Sequence, residues 1–232
     1  MSEQGQTYVI YYGWLTQDER GEPNADAQRI AAARAPLLIA HHWTAAPERH
    51  LNLSEAVLEL MRGSGTEVYA YVATDCGKSD LKKVLKEVGE YLATDIDGIF
   101  FDEADPLSDD AKIPFYDRLG DAVRDKGKGV ILNTGVAQCD ERIMNVADRI
   151  MVEHQWRNLR TGSLWSHRYP PERFMGVSSN EGGAMGYAVD EQRALGDTRE
   201  AWASRIGWHT STDRYTGLPE WFERYVGAVK QT

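Results

Sequence analysis

Short apolar runs recur along the chain at a nearly constant step, and few folds accommodate such spacing. Runs rich in β-branched and aromatic residues cover eight segments: residues 8–14, 37–42, 67–72, 98–103, 130–133, 149–155, 174–180 and 206–213. The first five begin 29 to 32 residues apart, which is the size of one strand–helix unit. The runs are almost continuously apolar, as is typical of strands buried on both faces of a parallel sheet.

Amphipathic segments separate most of these runs. Apolar residues at helical spacing predict helices over residues 53–62, 79–94, 115–125, 191–204 and 220–229, with Ser79 as the N-cap of the second. Residues 142–147 allow only a very short helix, and residues 157–172 show no helical pattern. Since parallel strands are joined by crossovers, this order predicts a (β/α)8 TIM-type barrel with at least one irregular crossover. No Pro-, Gly- or Ser-rich linker divides the chain, so residues 1–232 are predicted to form one barrel domain.

The composition excludes several classes of protein. Hydrophobic residues at 42% and charged residues at 27% are ordinary for a globular protein and exclude disorder and fibrous structure. The net charge of −10 argues against nucleic acid as a partner and suits a neutral or cationic ligand. The apolar runs are far shorter than the ~20 residues of a membrane span.

Three smaller features concern compartment and modification. Cys76 and Cys139 are far apart and fit no metal or redox spacing, so both are predicted to be free thiols. The first residues lack the basic and apolar regions of a secretory signal, which predicts a cytoplasmic protein, or a secreted one whose signal has been removed. Asn52 begins a glycosylation sequon, a triplet common by chance.

The carboxyl ends of the strands are where a barrel of this kind places its active site. Polar and aromatic residues crowd those positions, and they predict a rim that binds a polysaccharide or oligosaccharide, because rings pack against sugar faces while polar groups hold hydroxyl or amino groups. Strands also become polar as they leave a core, and a single tryptophan is more often a core residue. The predicted substrate-binding residues are Tyr12, Trp14, His41, Tyr71, Asp105, Asn133, Trp156, Glu181, Trp208, His209 and Asp213.

Two buried runs end in carboxylates. The fourth run leads into Asp102 and Glu103, and the sixth ends in Glu153. Strands four and six are next-nearest neighbours about 9–10 Å apart, so inward side chains bring their carboxyls into the ~5–9 Å range that glycosidases use. Since side chains alternate along a strand, Asp102 and Glu103 face the pocket together only if the strand ends between them. We predict that Asp102, Glu153 and Glu103 are catalytic.

Other roles for these residues remain open. Asp102 could instead cap a helix, and Glu153 could form an ion pair with Arg149 or Arg157.

The histidines near strand ends lack the H-x-H or H-E-x-x-H spacing of a zinc or iron site, so no metal and no cofactor are predicted. The glycine-rich segment containing Gly182 and Gly183 could bind phosphate, although a flexible active-site loop is favoured.

Taken together, these segments resemble the spherulin-4-like glycoside hydrolases, which are related to endo-α-1,4-polygalactosaminidases. The resemblance rests on the ordered set of residues 69–75, 96–103, 131–135, 147–153 and 206–213. It implies a (β/α)8 barrel acting on α-1,4-linked galactosamine or N-acetylgalactosamine polymers, with Asp102 and Glu153 as the catalytic pair and Glu103 adjacent. The chain has Thr134 where the family usually has proline and Val152 where it usually has phenylalanine, and family members are typically secreted.

A glycoside hydrolase is therefore the first hypothesis. Glu153 would donate a proton to the leaving oxygen, Asp102 would act as nucleophile or base, and Glu103 would position it. The rival hypotheses are a non-catalytic carbohydrate-binding barrel and a barrel enzyme that binds a phosphorylated small molecule at the Gly182–Gly183 loop. The sequence does not indicate the oligomeric state.

Overall fold

A computed structural model describes residues 5–17, 20–41, 52–180 and 186–231. Within them, eight parallel strands pair in the order of the sequence. They are β1 (Val9–Tyr11), β2 (Leu37–Ala40), β3 (Glu67–Ala73), β4 (Gly98–Asp102), β5 (Gly129–Asn133), β6 (Arg149–Met151), β7 (Phe174–Ser179) and β8 (Trp208–Thr212). Gln6 bridges β8 next to β1, since its N–H donates to Gly207 O at 2.7 Å and its carbonyl accepts from His209 N at 2.9 Å. The sheet is the predicted (β/α)8 TIM-type barrel.

Helices connect the strands on the outside of the barrel. They are α1 (Ala25–Ala33), α2 (Glu55–Ser64), α3 (Leu81–Leu92), α4 (Ile113–Arg124), α5 (Ile143–Val146), α6 (Leu159–Gly162), α7 (Glu191–Ala203) and α8 (Phe222–Val229). The sequence did not predict α1, because its buried face consists of Ala27, Ile30 and Ala31, and such small side chains give little periodic contrast. The N-cap of α3 is Asp80 and not Ser79, since the Asp80 carboxylate accepts from Lys83 N.

The irregular crossover lies between β6 and β7. Four short segments follow one another there: the 3-10 turn Glu153–Asn158, the single-turn α6, and the 3-10 turns Leu164–Arg168 and Pro171–Arg173. This confirms the prediction for residues 157–172. The sixth strand is shorter than predicted, because the chain leaves the extended conformation at Val152, with a ψ of 19°, and Glu153 follows with a φ of +44°. Glu153 therefore lies at the start of a loop and not inside a strand.

Alternation of side chains divides the core into two parts. Outward side chains pack beneath the helices. Inward side chains fill the barrel and leave no open pore, so a ligand is bound at an end of the barrel. The inward residues are Tyr8, Ile10, Leu37, Ile39, Tyr69, Phe100, Ile131, Met151, Met175, Val177 and Trp208.

The smaller sequence features also have clear positions. Cys76 and Cys139 are both free, the first exposed and the second half-buried. Asn52 is only 2% exposed and its amide is engaged with the backbone, so the sequon is a structural element here. Among the described residues no helix is both long and apolar enough to span a membrane.

Candidate active site

The carboxylates of Asp102 and Glu153 meet at one amide group. Asn133, the last residue of β5, donates from Nδ2 to Asp102 Oδ1 at 2.6 Å and to Glu153 Oε1 at 2.5 Å. Because both oxygens bond to one nitrogen, they are no more than about 5 Å apart. The strand order explains this meeting, since β5 lies between β4 and the end of β6.

The orientation of the Asn133 amide is set by a separate contact. Its Oδ1 accepts from the backbone N–H of Gly135 at 3.0 Å, so Nδ2 is the atom that faces the two carboxylates. Gly135 has a φ of +62°, and a Cβ at this position would lie 3.8 Å from Glu153 Oε2. The side chain of Asn133 is 2% exposed. A buried amide with its acceptor and donor both occupied holds a single geometry.

Both glutamates of the predicted catalytic group have left-handed backbones. The φ angle is +51° at Glu103 and +44° at Glu153, a region that costs a non-glycine residue on the order of 1 kcal/mol or more. At Glu103 the neighbouring chain maintains this conformation, because its carbonyl accepts from Cys76 N at 2.8 Å and from Thr74 Oγ1 at 2.9 Å. The turn ends β4 at Asp102, so Asp102 contacts the pocket amide while Glu103 is exposed at the rim.

Four aromatic rings form a wall beside the carboxylates. Tyr12 contacts Tyr71 at a centroid distance of 5.4 Å and His41 at 5.7 Å, and His41 lies 4.4 Å from Tyr71. Tyr215, which the sequence analysis missed, lies 5.3 Å from Tyr12. It comes three residues after β8, so counting aromatic residues slightly beyond each strand end would have found it.

The charges of Asp102 and Glu153 act on two tyrosines of this wall. Burial raises the pKa of Tyr12 well above its ordinary value, and the negative charge of Asp102 adds to the effect. Burial and then the charge of Asp102 likewise raise the pKa of Tyr71. Both phenols are therefore protonated at neutral pH and can act as hydrogen-bond donors.

The remaining rim residues lie further from the pair. Trp14 lies two residues after Tyr12 and is 48% exposed. Asp105 accepts from Ser108 N, and the exposed Asp213 forms an ion pair with Arg214 at 3.3 Å. Glu181, Gly182 and Gly183 lie outside the described residues.

Three predicted substrate-binding residues are not at the rim, and their assignment is corrected. Trp208 is the first residue of β8 and contacts the guanidinium of Arg149 at 4.5 Å, so it lies at the opposite, N-terminal end of the barrel. Trp156 and His209 are both 0% exposed, with their rings 5.0 Å apart. Alternation along β8 directs His209 toward Thr198 of α7, behind the sheet and away from the pocket. All three residues are part of the packed interior.

The buried His209 makes stability depend on pH. Burial lowers the pKa of His209 to about 3, whereas the unfolded chain keeps an ordinary value near 6.5. Between these values the unfolded state binds more protons, so stability falls as the pH decreases. We expect this residue to contribute a loss of up to about 1.4 kcal/mol per pH unit from pH 6 to pH 4. Urea unfolding of the wild type and of His209→Gln at several pH values checks this, and parallel pH dependences would contradict it.

The observed contacts differ from the purely structural roles considered for these carboxylates, which were an ion pair for Glu153 and a helix cap for Asp102. Arg149 pairs with Glu67, and Arg157 pairs with Asp197 and Glu200. The helical turn after β4 is capped by Asp109, whose carboxylate accepts from Ala111 N. In the part of the chain that the structure describes, no cluster of three or more His, Cys, Asp or Glu side chains is arranged to hold a metal ion.

Fold and site together define a TIM-type barrel protein with a carboxylate pair at the carboxyl ends of its strands. Residues 44–229 match the sequence model of Spherulin4, described as Spherulation-specific family 4, and the chain belongs to this family. No curated protein sequence matches the chain.

Several solved structures share the fold. Sph3 of Aspergillus clavatus, solved in complex with GalNAc, has a TM-score of 0.72 at 17% identity over 99% of each chain. A chitinase from Chromobacterium violaceum has a TM-score of 0.65 at 10% identity, over 98% of this chain and 99% of that one. The glycoside hydrolase domain of PelA from Pseudomonas aeruginosa has a TM-score of 0.56 at 10% identity, over 90% and 96%. At these identities the likeness is one of fold.

Proposed function

We propose that the protein is a glycoside hydrolase that cleaves α-1,4-linked galactosamine or N-acetylgalactosamine polysaccharides. The observation that carries the proposal is the single amide of Asn133 hydrogen-bonded to both Asp102 and Glu153. Hydrolysis of a glycosidic bond needs two carboxyl groups on either side of the scissile bond, held at a fixed separation. Family membership and the fold shared with a GalNAc complex of Sph3 support this substrate class.

Each carboxylate has a proposed role. Glu153 donates a proton to the leaving oxygen while Asp102 attacks the anomeric carbon as nucleophile, so the glycosidic bond breaks and a glycosyl–Asp102 ester forms. Water, deprotonated by Glu153, then attacks the same carbon, which releases the sugar and restores both carboxyl groups. Glu103, exposed beside Asp102, positions the nucleophile and adds negative charge to the rim. Aromatic rings beside the pair, including Tyr12 and Tyr71, contact the apolar face of the sugar.

The charge of the site favours an amino sugar over a neutral one. The chain has a net charge of −10, and five acidic side chains are at the described part of the rim: Asp102, Glu103, Asp105, Glu153 and Asp213. Glu153 serves as the proton donor and Asp213 is paired with Arg214, so the negative charge comes from the other three. A partly deacetylated galactosamine polymer is cationic, so these charges attract it. Chitin has neither the α-1,4 linkage nor the positive charge of such a polymer. Amylose has the α-1,4 linkage but no charge.

A polysaccharide screen tests the proposed function. The purified protein is incubated with α-1,4-galactosamine polymer, with chitin and with amylose, and the new reducing ends are measured. We expect release from the galactosamine polymer and at most traces from amylose. Retention of the polymer on the protein without release of reducing ends would instead support a non-catalytic carbohydrate-binding barrel.

The stereochemistry of the product is a second, sharper expectation. Carboxyl groups about 5–5.5 Å apart belong to retaining glycosidases, whereas inverting enzymes separate them by about 6.5–9.5 Å to admit a water. The oxygens bonded to Asn133 are within about 5 Å of each other, so the first product should retain the α configuration. Proton NMR in the first minutes of hydrolysis distinguishes the anomers, and an initial β product would contradict the proposed role of Asp102.

A further inference from the structure

The indole of Trp14 is exposed although the backbone around it is firmly fixed. Trp14 is 48% exposed, and the other exposed large hydrophobic side chains among the described residues are Val136 at 40% and Leu164 at 71%. The next residue, Leu15, is 0% exposed and anchors the segment in the core. A single exposed apolar side chain is not unusual, but the exposed part of an indole can pack against the apolar face of a ligand.

Buried Asn52 fixes the backbone on both sides of Trp14. Its Oδ1 accepts from Leu15 N at 2.5 Å, and its Nδ2 donates to Gly13 O at 2.8 Å and to His41 O at 2.7 Å. The carbonyl of Trp14 itself accepts from the hydroxyl of Tyr11 at 3.2 Å.

The opposite side of the segment is packed just as closely. A Cβ on Gly13 would lie 2.6 Å from Thr216 O, so only glycine allows the chain to pass this close to the loop after β8. The backbone that presents the indole is therefore pre-organised, and a ligand that binds there does not have to order it.

The position of Trp14 relative to the carboxylates indicates what this surface binds. Tyr12 belongs to the aromatic wall that faces Asp102 and Glu153, and Trp14 lies two residues further along the chain, within about 7 Å by Cα positions. In the ring of eight strands β1 is opposite β5, which carries Asn133. The loop that carries Trp14 therefore begins at the aromatic wall.

We propose that Trp14 is a stacking platform for a sugar ring at a subsite beyond the one where the bond is cleaved. The ligand is a pyranose unit of the same polysaccharide, bound through its apolar face. The inference rests on the proposed function, because it takes as its ligand the polysaccharide that the carboxylate pair would cleave. It also accounts for the role of Asn52, which holds the platform in place.

Substrate length separates this role from a structural one. The experiment compares the wild type, Trp14→Ala and Trp14→Phe on α-1,4-galactosamine oligosaccharides of increasing length. Trp14→Ala should raise KM about tenfold on long oligosaccharides with kcat nearly unchanged, equivalent to about 1.4 kcal/mol of binding. The shortest cleavable oligosaccharide should be unaffected, and Trp14→Phe should restore most of the affinity. Leu164→Ala, an equally apolar and more exposed position in the β6–β7 connection, is the matched control.

Each other result decides against the platform. Equal losses on short and long substrates, or no loss at all, overturn it, as does a change of oligomeric state in Trp14→Ala without any length dependence. If the wild type cleaves no galactosamine polymer, the proposed function fails separately. The platform is then judged by affinity electrophoresis in gels containing the galactosamine polymer or soluble chitin: retention of the wild type that Trp14→Ala weakens supports it, and anything else overturns it.

Discussion

Replacing Glu153 with Gln, or Asp102 with Asn, is expected to lower kcat on α-1,4-galactosamine polymer by about 10³-fold or more while the protein stays folded. The size of the loss follows from the roles, since removal of a positioned proton donor costs about 10²–10⁴-fold and removal of the nucleophile blocks the covalent step. Both substitutions keep the size of the side chain, and Asn133 can still hydrogen bond to an amide oxygen. The measurement is the initial rate of reducing-end release, with thermal unfolding as a test of folding.

The matched control for these variants is Glu172→Gln. Glu172 is an exposed carboxylate in the turn before β7, at the N-terminal end of the barrel, so the same change of charge is made far from the pocket. It should leave kcat within about twofold, since exposed substitutions away from special features have small effects. If Asp102→Asn and Glu153→Gln are as active as this control, the two carboxylates are not the catalytic pair.

The second large effect is expected at Asn133. Replacement by Ala should lower kcat about 100-fold with little change in KM, because displacing reacting groups by about 1 Å costs a factor of that size. Without the amide, both hydrogen bonds that hold Asp102 and Glu153 within about 5 Å of each other are lost, and the two side chains can move apart. Asn133→Asp removes the donor and adds a third acid, so its loss should be at least as large. Steady-state kinetics on the galactosamine polymer separate the kcat effect from the KM effect.

Thr134→Ala provides the control for a purely structural effect. Thr134 is the neighbouring residue at the end of β5, is 8% exposed, and its hydroxyl donates to Val136 O at 2.9 Å. Its removal should lower the melting temperature about as much as Asn133→Ala does but leave kcat within about threefold. An Asn133→Ala protein that turns over at the wild-type rate would show that the amide does not set the catalytic geometry.

Much of the barrel could be predicted from the sequence, because burial on both faces leaves a direct record in composition. The runs at 98–103 and 130–133 correspond closely to β4 and β5, which are Gly98–Asp102 and Gly129–Asn133. The run at 149–155 was predicted too long, since hydrophobicity continues through Val152 while the chain turns at Glu153. A left-handed backbone at a glutamate has no signature in an apolar pattern.

Part of the rim was predicted wrongly, for a reason visible in β8. Trp208, His209 and Asp213 are close in sequence, yet they lie at the bottom of the barrel, behind the sheet and at the rim respectively. A strand of five residues spans the barrel from one end to the other, and successive side chains alternate between its faces. Proximity to a strand end therefore does not specify which end, or which face, a residue occupies.

The sequence by itself determined the number and order of the strands, because each strand must bury an apolar run and such runs are spaced by the length of a crossover. It also determined which strands end in acids. Only the tertiary structure decided that Asn133 links Asp102 to Glu153, that Tyr215 joins the aromatic wall, and that Asn52 fixes the segment around Trp14. These contacts join residues 20 to more than 200 positions apart, and closure of the barrel, which no local pattern encodes, brings them together.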